Sequence, residues 1–135
     1  MGVAVVMLRG SSPILHAALG PFFGRLDIER EMGAPLRNAP NKRWWLAFDD
    51  GAVVGFCGLD ETRSSVRLVS DYVAPKCRGR RIYDRMFRAR IAVARKLAPV
   101  IRSTCTNASR GTFERYGFCR VRQKGAYHAM EMINE

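Results

Sequence analysis

The chain has 135 residues and a mass of 15.2 kDa, the size of one globular domain. Hydrophobic residues make up 47% and charged residues 26%, which excludes an intrinsically disordered chain. No apolar run approaches the roughly 18 residues of a membrane span, and the apolar start lacks a basic flank. We therefore expect a single cytoplasmic domain over 1–135 with no membrane partner.

Positive charge dominates the composition, with 23 Lys and Arg against 12 Asp and Glu and a net charge of +11. Nine of the basic residues fall between Lys76 and Lys96, where Asp84 is the one acid. Such a chain favours anionic partners. We expect nucleic acid (DNA or RNA), a phosphorylated cofactor or another anionic acceptor.

The cysteines follow no metal-binding spacing. Cys57, Cys77, Cys105 and Cys119 form no C-x-x-C pair, and both histidines stand apart from them. We predict reduced thiols and no metal site.

The first half of the chain predicts a strand, two short helices and three further strands, from β-branched runs, a Ser-Ser-Pro helix start and Gly- or Pro-containing turns. The expected strands cover 3–8, 42–48, 53–59 and 66–73, and the expected helices cover 14–23 and 26–32.

The second half is centred on the best helix of the chain, expected over 80–97. Its apolar residues recur at spacings of three and four, which predicts one buried face. A strand over 100–105, a helix over 107–116 and a closing hairpin of 118–122 with 126–133 follow. The whole order predicts an α/β (α+β) domain on one mixed sheet. The expected buried face comprises Ile82, Met86, Ala89, Val93 and Leu97.

The most informative segment, 72–83, runs from a strand end through a basic loop into this long helix. Exposed amides and the positive end of the helix dipole make such a junction an anion site, and Arg or Lys beside it strengthens phosphate binding. The residues alone leave two interpretations open, a ligand bearing phosphates or a solvated basic helix.

Two motifs resemble those of the GCN5-related N-acetyltransferases (GNAT). Val73-Ala74-Pro75 followed by Arg78-Gly79 resembles their acyl-CoA signature, and the run from Phe113 to Phe118 resembles a later helix that ends in Gly-Phe. The resemblance implies a central sheet of six to seven strands with about four helices, and acetyl-CoA or another acyl-CoA as cofactor. The cofactor-binding residues that it implies are Tyr72, Val73, Lys76, Cys77, Arg78, Gly79, Arg80, Arg81, Ile82, Asn107 and Phe113.

Three positions depart from the family pattern. Arg81 and Tyr83 stand where the family has small residues, and the bulk of Tyr83 is expected to narrow the cofactor groove. Phe113 stands where the family often has a tyrosine general acid, so either Tyr116 or water would protonate the leaving thiolate. Tyr116 is our prediction for this acid, although helical spacing turns it some 60° away from Phe113.

Asp71 is the predicted general base, acting directly or through a water. Strand alternation puts Asp71 and Val73 on one face and Tyr72 on the other. An acid within an apolar strand is costly unless it is paired or used. The alternative is therefore a structural salt bridge with Arg67 or Arg102.

Flanking polar and aromatic residues offer weaker signals. Ser103, Thr104 and Thr106 on the following strand are candidates to hold a water or substrate, or to cap the strand end. Trp44 and Trp45 are consecutive and face opposite sides of a strand, so one is expected in the core. The other stacks on a base, lines an acceptor pocket or packs as well.

Three functions remain open at this level. The first is acyl-CoA-dependent N-acyltransfer to an amine. The second keeps the fold and modifies a nucleic-acid base, as phage Mom-type proteins do. The third is a nucleic-acid-binding module without catalysis, which Arg81, Tyr83 and Phe113 favour. A monomer and a homodimer are both open.

Overall fold

A computed structural model describes residues 2–133. Seven strands and four α-helices occur in the predicted order, with short 3-10 turns at Gly20–Phe22 and Pro75–Cys77. No helix in this range is both long and apolar enough to cross a membrane. The elements are β1 (Val3–Arg9), α1 (Pro13–Leu19), α2 (Leu26–Met32), β2 (Arg43–Asp49), β3 (Ala52–Glu61), β4 (Ser65–Val73), α3 (Ile82–Leu97), β5 (Val100–Thr106), α4 (Asn107–Arg115), β6 (Cys119–Lys124) and β7 (Tyr127–Ile133).

The strands form one mixed sheet in the order β1-β2-β3-β4-β5-β7-β6. All neighbouring strands pair antiparallel except β4 and β5, which are parallel and are joined through α3. The predicted fold class, a mixed sheet with four helices, is confirmed.

The parallel pair separates at mid-length. Pairing of β4 with β5 is limited to Ser65–Leu68 against Val100–Ser103. Beyond Leu68 the backbone of β4 bulges at Ser70, where φ is +61°, and its register against β3 shifts. The opening begins inside β4 and not at the proline that follows the strand, Pro75, because the bulge turns β4 away from β5.

Two apolar cores lie on opposite faces of the sheet. Trp45 belongs to the larger core, which α3 and α4 cover. Trp44 belongs to the smaller one, under α1 and α2. Both indoles are buried, so the second tryptophan packs as well, and the alternative that it lines an acceptor pocket is wrong.

The buried face of α3 differs in part from the predicted one. Ile82 and Met86 are buried as expected, and Ile91 and Ala94 join them. Ala89, Val93 and Leu97 are only partly buried at its margin. The buried face also contains a charged residue, Arg90, which is 0% exposed. The sequence did not predict that Arg90 is buried, because the helical pattern was read from apolar residues and Arg90 is charged.

Candidate active site

A cavity opens where β4 and β5 separate. Its volume is about 720 Å³, within the range of small-molecule sites. The end of β4 forms one wall, the basic loop and the start of α3 form another, and β5 with α4 closes it. Its lining residues are Glu31, Asp71, Tyr72, Val73, Cys77, Arg78, Gly79, Arg81, Ile82, Tyr83, Asp84, Thr106, Ala108, Ser109, Thr112 and Arg115.

The N-terminus of α3 opens onto this cavity. The first helical hydrogen bond runs from the Arg85 N–H to the Arg81 carbonyl, so the amides of Ile82, Tyr83 and Asp84 have no helical acceptor. No side chain caps them. Gly79, at φ +81°, leaves open space where a Cβ would stand. The geometry therefore suits an anionic group held by backbone amides.

Arg78 braces the basic loop. Its Nε donates to the carbonyl of Val73 at 2.9 Å, and its Nη2 forms an ion pair with Glu31 of α2. Its guanidinium also lies 6.0 Å from the centroid of the Tyr72 ring. Arg78 thus joins α2, the end of β4 and the basic loop at the cavity mouth.

Asp84, an acid in the first turn of α3, is neutralised by its neighbours. Its Oδ2 accepts from Arg88 at 3.0 Å, and its Oδ1 accepts from Arg115 and from the Tyr116 hydroxyl, each at 3.0 Å. Burial would raise the pKa of Asp84, but the hydrogen bonds from these partners lower it below the ordinary value. An anion bound at the start of α3 would therefore lie near a carboxylate whose negative charge is already balanced by two arginines.

Asp71 lies at the splay, within a network of three side chains. Arg90 donates Nη1 to Oδ1 at 2.6 Å and Nη2 to Oδ2 at 2.9 Å. The Tyr83 hydroxyl donates to Oδ2. An ion pair is confirmed as the state of this carboxylate, but the expected partners, Arg67 and Arg102, are wrong. Arg102 instead donates to Glu131 at 2.9 Å.

The network leaves Asp71 with residual acceptor capacity. A carboxylate offers about four lone-pair positions, and three are occupied by Arg90 and Tyr83. Asp71 lines the cavity and is 19% exposed. One position therefore remains to accept a hydrogen bond from a molecule in the cavity.

Arg90 and Tyr83 are the participants that sequence reasoning missed. Burial would lower the pKa of Arg90, but the adjacent Asp71 carboxylate raises it above the ordinary value, so the guanidinium stays charged. Burial, and then the Asp71 charge, raise the pKa of Tyr83 well above 10. One feature of the sequence could have predicted that Arg90 and Tyr83 lie together. Arg90 follows Tyr83 by seven residues, which is two turns along the same face of the helix.

The predicted cofactor-binding residues divide into two groups. Tyr72, Val73, Cys77, Arg78, Gly79, Arg81 and Ile82 line the cavity, whereas Lys76, Arg80, Asn107 and Phe113 do not. Arg80 donates to Asp49 at 3.2 Å. The Asn107 amide oxygen lies 2.5 Å from Nε2 of His128. Phe113 is buried edge-on against Phe87, with centroids 4.8 Å apart.

Tyr116, the predicted general acid, also lies outside the lining. Its ring stacks on Phe87 with centroids 4.9 Å apart, and its hydroxyl donates to Asp84. It reaches the cavity only through that carboxylate. Tyr72 and Tyr83 both line the cavity, and Tyr83 is the one whose hydroxyl donates to Asp71.

Comparison with known proteins agrees with this geometry. The model of the acetyltransferase (GNAT) family matches residues 13–118. The chain belongs to the GNAT family. No curated protein sequence matches it.

Solved GNAT structures share the fold over nearly the whole chain. Escherichia coli ElaA superposes with a TM-score of 0.76 at 13% identity, covering 97% of this chain and 99% of its own. An acyl-CoA N-acyltransferase from Pseudomonas aeruginosa gives a TM-score of 0.75 at 13% identity, with the same coverage. The PaiA N-acetyltransferase of Thermoplasma acidophilum, solved with coenzyme A, gives a TM-score of 0.64 at 13% identity, covering 98% and 99%. At these identities the likeness shows the fold.

Between residues 2 and 133, no three His, Cys, Asp or Glu side chains come together as a metal site would require. The cysteines of that range are all free, and Cys119 is the exposed one.

Proposed function

We propose that this GNAT protein is an acyl-CoA-dependent N-acyltransferase that takes acetyl-CoA, or another acyl-CoA, and an amine on an anionic acceptor. The observation that carries the proposal is the uncapped N-terminus of α3, which opens onto a cavity that reaches the splay between β4 and β5. Further support comes from family membership and from the coenzyme A complex of the Thermoplasma relative.

The residues at the basic loop fit a pyrophosphate. The amides of Ile82, Tyr83 and Asp84 would donate to its oxygens, and Gly79 leaves room for close approach. Arg81 at the α3 start and Arg115 of α4 both line the cavity and would add charge-assisted hydrogen bonds. Acyl-CoA, when bound, supplies a thioester whose carbonyl carbon is open to attack by an amine.

Asp71 would receive the amine proton, directly or through a water at its remaining acceptor position. The buried Arg90 donates to both carboxylate oxygens, which fixes the orientation of the carboxylate. Arg90 is therefore a positioning residue. A carboxylate so held works best through a water that passes the proton on.

The proton must finally reach the thiolate sulfur. Tyr116, our sequence-based prediction, would act through Asp84, to which its hydroxyl is bonded. Tyr83 has the stronger support, because its hydroxyl already contacts Asp71 within the cavity lining. In a relay, Asp71 takes the amine proton and passes it to Tyr83 as the Tyr83 hydroxyl gives its own proton to sulfur, so that Asp71 ends as the carboxylate and Tyr83 as the phenol that they were at the start.

Calorimetric titration with acetyl-CoA tests the cofactor half of the proposal. Gly79→Asp and Gly79→Asn form a matched pair, since both side chains tolerate positive φ and differ by one charge. We expect Gly79→Asn to keep most of the wild-type affinity and Gly79→Asp to lose about tenfold or more, because a carboxylate beside the phosphates repels them.

Equal affinities of the two variants would contradict phosphate binding at the α3 start. Absence of acetyl-CoA binding by the wild-type chain would overturn the enzymatic proposal and leave the non-catalytic binding module. Arg78→Ala should also weaken binding, because the basic loop loses its brace to Val73 and Glu31.

A further inference from the structure

One half of one sheet face is open. The core that faces α3 and α4 takes Ile101, Cys105, Met130 and Met132 from β5 and β7. On the opposite face, the core under α1 and α2 takes residues of β1 to β4. Among residues 2–133 that core takes no residue of β5, β7 or β6, and α2 meets this half of the face only at its C-cap, where Gly33 lies against the Tyr127 ring.

Arginines lie across this open half. Arg67 of β4 is in register with Arg102 of β5, which pairs in turn with Glu131 of β7. Arg122 of β6 is in register with Ala129 of β7. Residues in register share a face, and the exposed residues of β5 and β7 alternate with the buried ones. We call Arg67, Arg102, Arg122 and Lys124 the basic sheet face.

These arginines form a groove rather than a scatter of surface charges. Arg67, Arg102 and Arg122 line one depression of about 380 Å³, together with Thr104 and Glu131. Arg102 is bonded to Glu131. Arg67, Arg122 and Lys124 form no ion pair among residues 2–133. The groove therefore keeps a surplus of positive charge.

The groove leads to the cavity. Thr104 lines the groove and Thr106 lines the cavity, two residues further along the same face of β5. Tyr127, in register with Thr106, is 42% exposed at this junction. A ligand lying in the groove would thus approach the splay where Asp71 stands.

We propose that the basic sheet face binds a single strand of nucleic acid through its phosphates and leads that strand to the splay. The inference rests on the proposed function, because the strand would carry the acceptor amine. Guanidinium groups bind phosphate in a planar, bidentate manner. An open sheet with an exposed aromatic ring accommodates a single strand and stacks its bases. Amines within a stacked duplex would not reach the splay.

The α3 helix is the alternative basic surface, because five basic residues lie on it, Arg85, Arg88, Arg90, Arg95 and Lys96. The structure disqualifies part of that set. Arg90 is buried against Asp71, and Arg88 is paired with Asp84. Arg85 and Lys96 remain exposed on α3 and provide a matched control.

Fluorescence anisotropy with a labelled single-stranded oligonucleotide, titrated over a range of salt, tests this assignment. The two double variants Arg67→Gln/Arg122→Gln and Arg85→Gln/Lys96→Gln change the net charge equally. We expect the sheet variant to lose about tenfold in affinity and its salt slope to fall by about 1.4, which is roughly 0.7 for each lost phosphate contact. The α3 variant should stay within about twofold of wild type.

Three outcomes would overturn the inference. They are no strand binding by wild type at about 50 mM salt, equal losses in both double variants, and a tighter complex with duplex of the same sequence. A fourth outcome that would overturn the inference is a dimer that covers the basic sheet face. Analytical ultracentrifugation would show it as a dimer of the wild-type chain that Arg67→Gln/Arg122→Gln dissociates. Acetyl-CoA calorimetry on the same samples separates the two proposals. Absence of acetyl-CoA binding would overturn the proposed function, whereas absence of strand binding would overturn this inference alone.

Discussion

Arg81 holds a backbone conformation that disfavours a side chain. It is the N-cap of α3 with φ +61° and ψ +20°, at a position where the GNAT signature has glycine. A left-handed conformation costs a non-glycine residue about 1–2 kcal/mol. The chain thus keeps a guanidinium in the cavity wall at the expense of stability, which is typical of functional positions.

Arg81→Gly should relieve this strain, and Arg81→Ala is its control because alanine removes the charge but keeps the Cβ. We expect the glycine variant to exceed the alanine variant by about 1 kcal/mol in free energy of unfolding, even though glycine is more flexible in the unfolded chain. Urea denaturation measures the difference. An alanine variant as stable as the glycine variant would show that the backbone at this position is unstrained.

Asp71→Asn tests the residue at the centre of the site. The substitution leaves the buried Arg90 guanidinium without its counter-charge, so we expect the free energy of unfolding to fall by about 3 kcal/mol or more. If Asp71 also receives the amine proton, turnover of the folded variant should fall by about 10²-fold or more. The affinity for acetyl-CoA should not change, because Asp71 makes no contact with the α3 amides.

The two effects are separated by assaying Asp71→Asn at a temperature where circular dichroism shows it folded. Full turnover with a lowered melting temperature would assign Asp71 to the ion pair alone. Tyr83→Phe is the companion variant, since it removes the hydroxyl from Asp71 and leaves the Arg90 pair in place.

At the scale of single residues, the sequence predicted where the chemistry lies but not which side chains meet. Asp71 was singled out because a lone acid on an apolar strand needs a partner. Its partner Arg90 is 19 residues away in the chain, on the face of α3 that turns towards β4. Such a pairing depends on how α3 is rotated against the sheet, which charge patterns along the sequence do not encode.

At the scale of elements, local patterns determined most of the fold. Turn residues and alternation were enough for the hairpins β2–β3 and β6–β7, and periodicity was enough for α3. The bulge in β4 was not predictable, because it involves Ser70 at positive φ rather than glycine or proline. That bulge determines where β4 and β5 separate, so the position of the cavity could not be predicted from the sequence.

Positive charges are paired with acids to different extents at the start of α3 and on the sheet. Around the α3 start, positive groups meet acids: Arg78 meets Glu31, Arg80 meets Asp49 and Arg115 meets Asp84. Across β4, β5 and β6, by contrast, the arginines outnumber their acidic neighbours. Part of the strongest basic run of the sequence therefore pairs with acids at the cavity mouth, whereas the groove on the sheet has more arginines than acids.

For the whole molecule, buried groups that keep their protons predict an alkaline limit to stability. Cys57 is fully buried, and this burial raises the pKa of its thiol from 9.0 to about 12. The raised pKa of Tyr83 acts in the same direction. Below pH 9, folded and unfolded Cys57 are both protonated, and its contribution is fully present.

As pH rises from 9 towards 12, the unfolded chain loses the Cys57 proton while the folded chain retains it. We expect the free energy of unfolding to fall by up to about 1.4 kcal/mol per pH unit from this thiol, with a further decline from Tyr83 above about pH 10. Urea denaturation at several pH values measures the slope. Cys57→Ala leaves a small cavity, which lowers the free energy of unfolding at every pH. Because this variant lacks the thiol, its free energy of unfolding should fall less steeply with pH, by nearly the slope of about 1.4 kcal/mol per pH unit that one proton contributes. Parallel slopes for the two proteins would mean that Cys57 titrates alike in the folded and unfolded chains, and that the centre of β3 admits water.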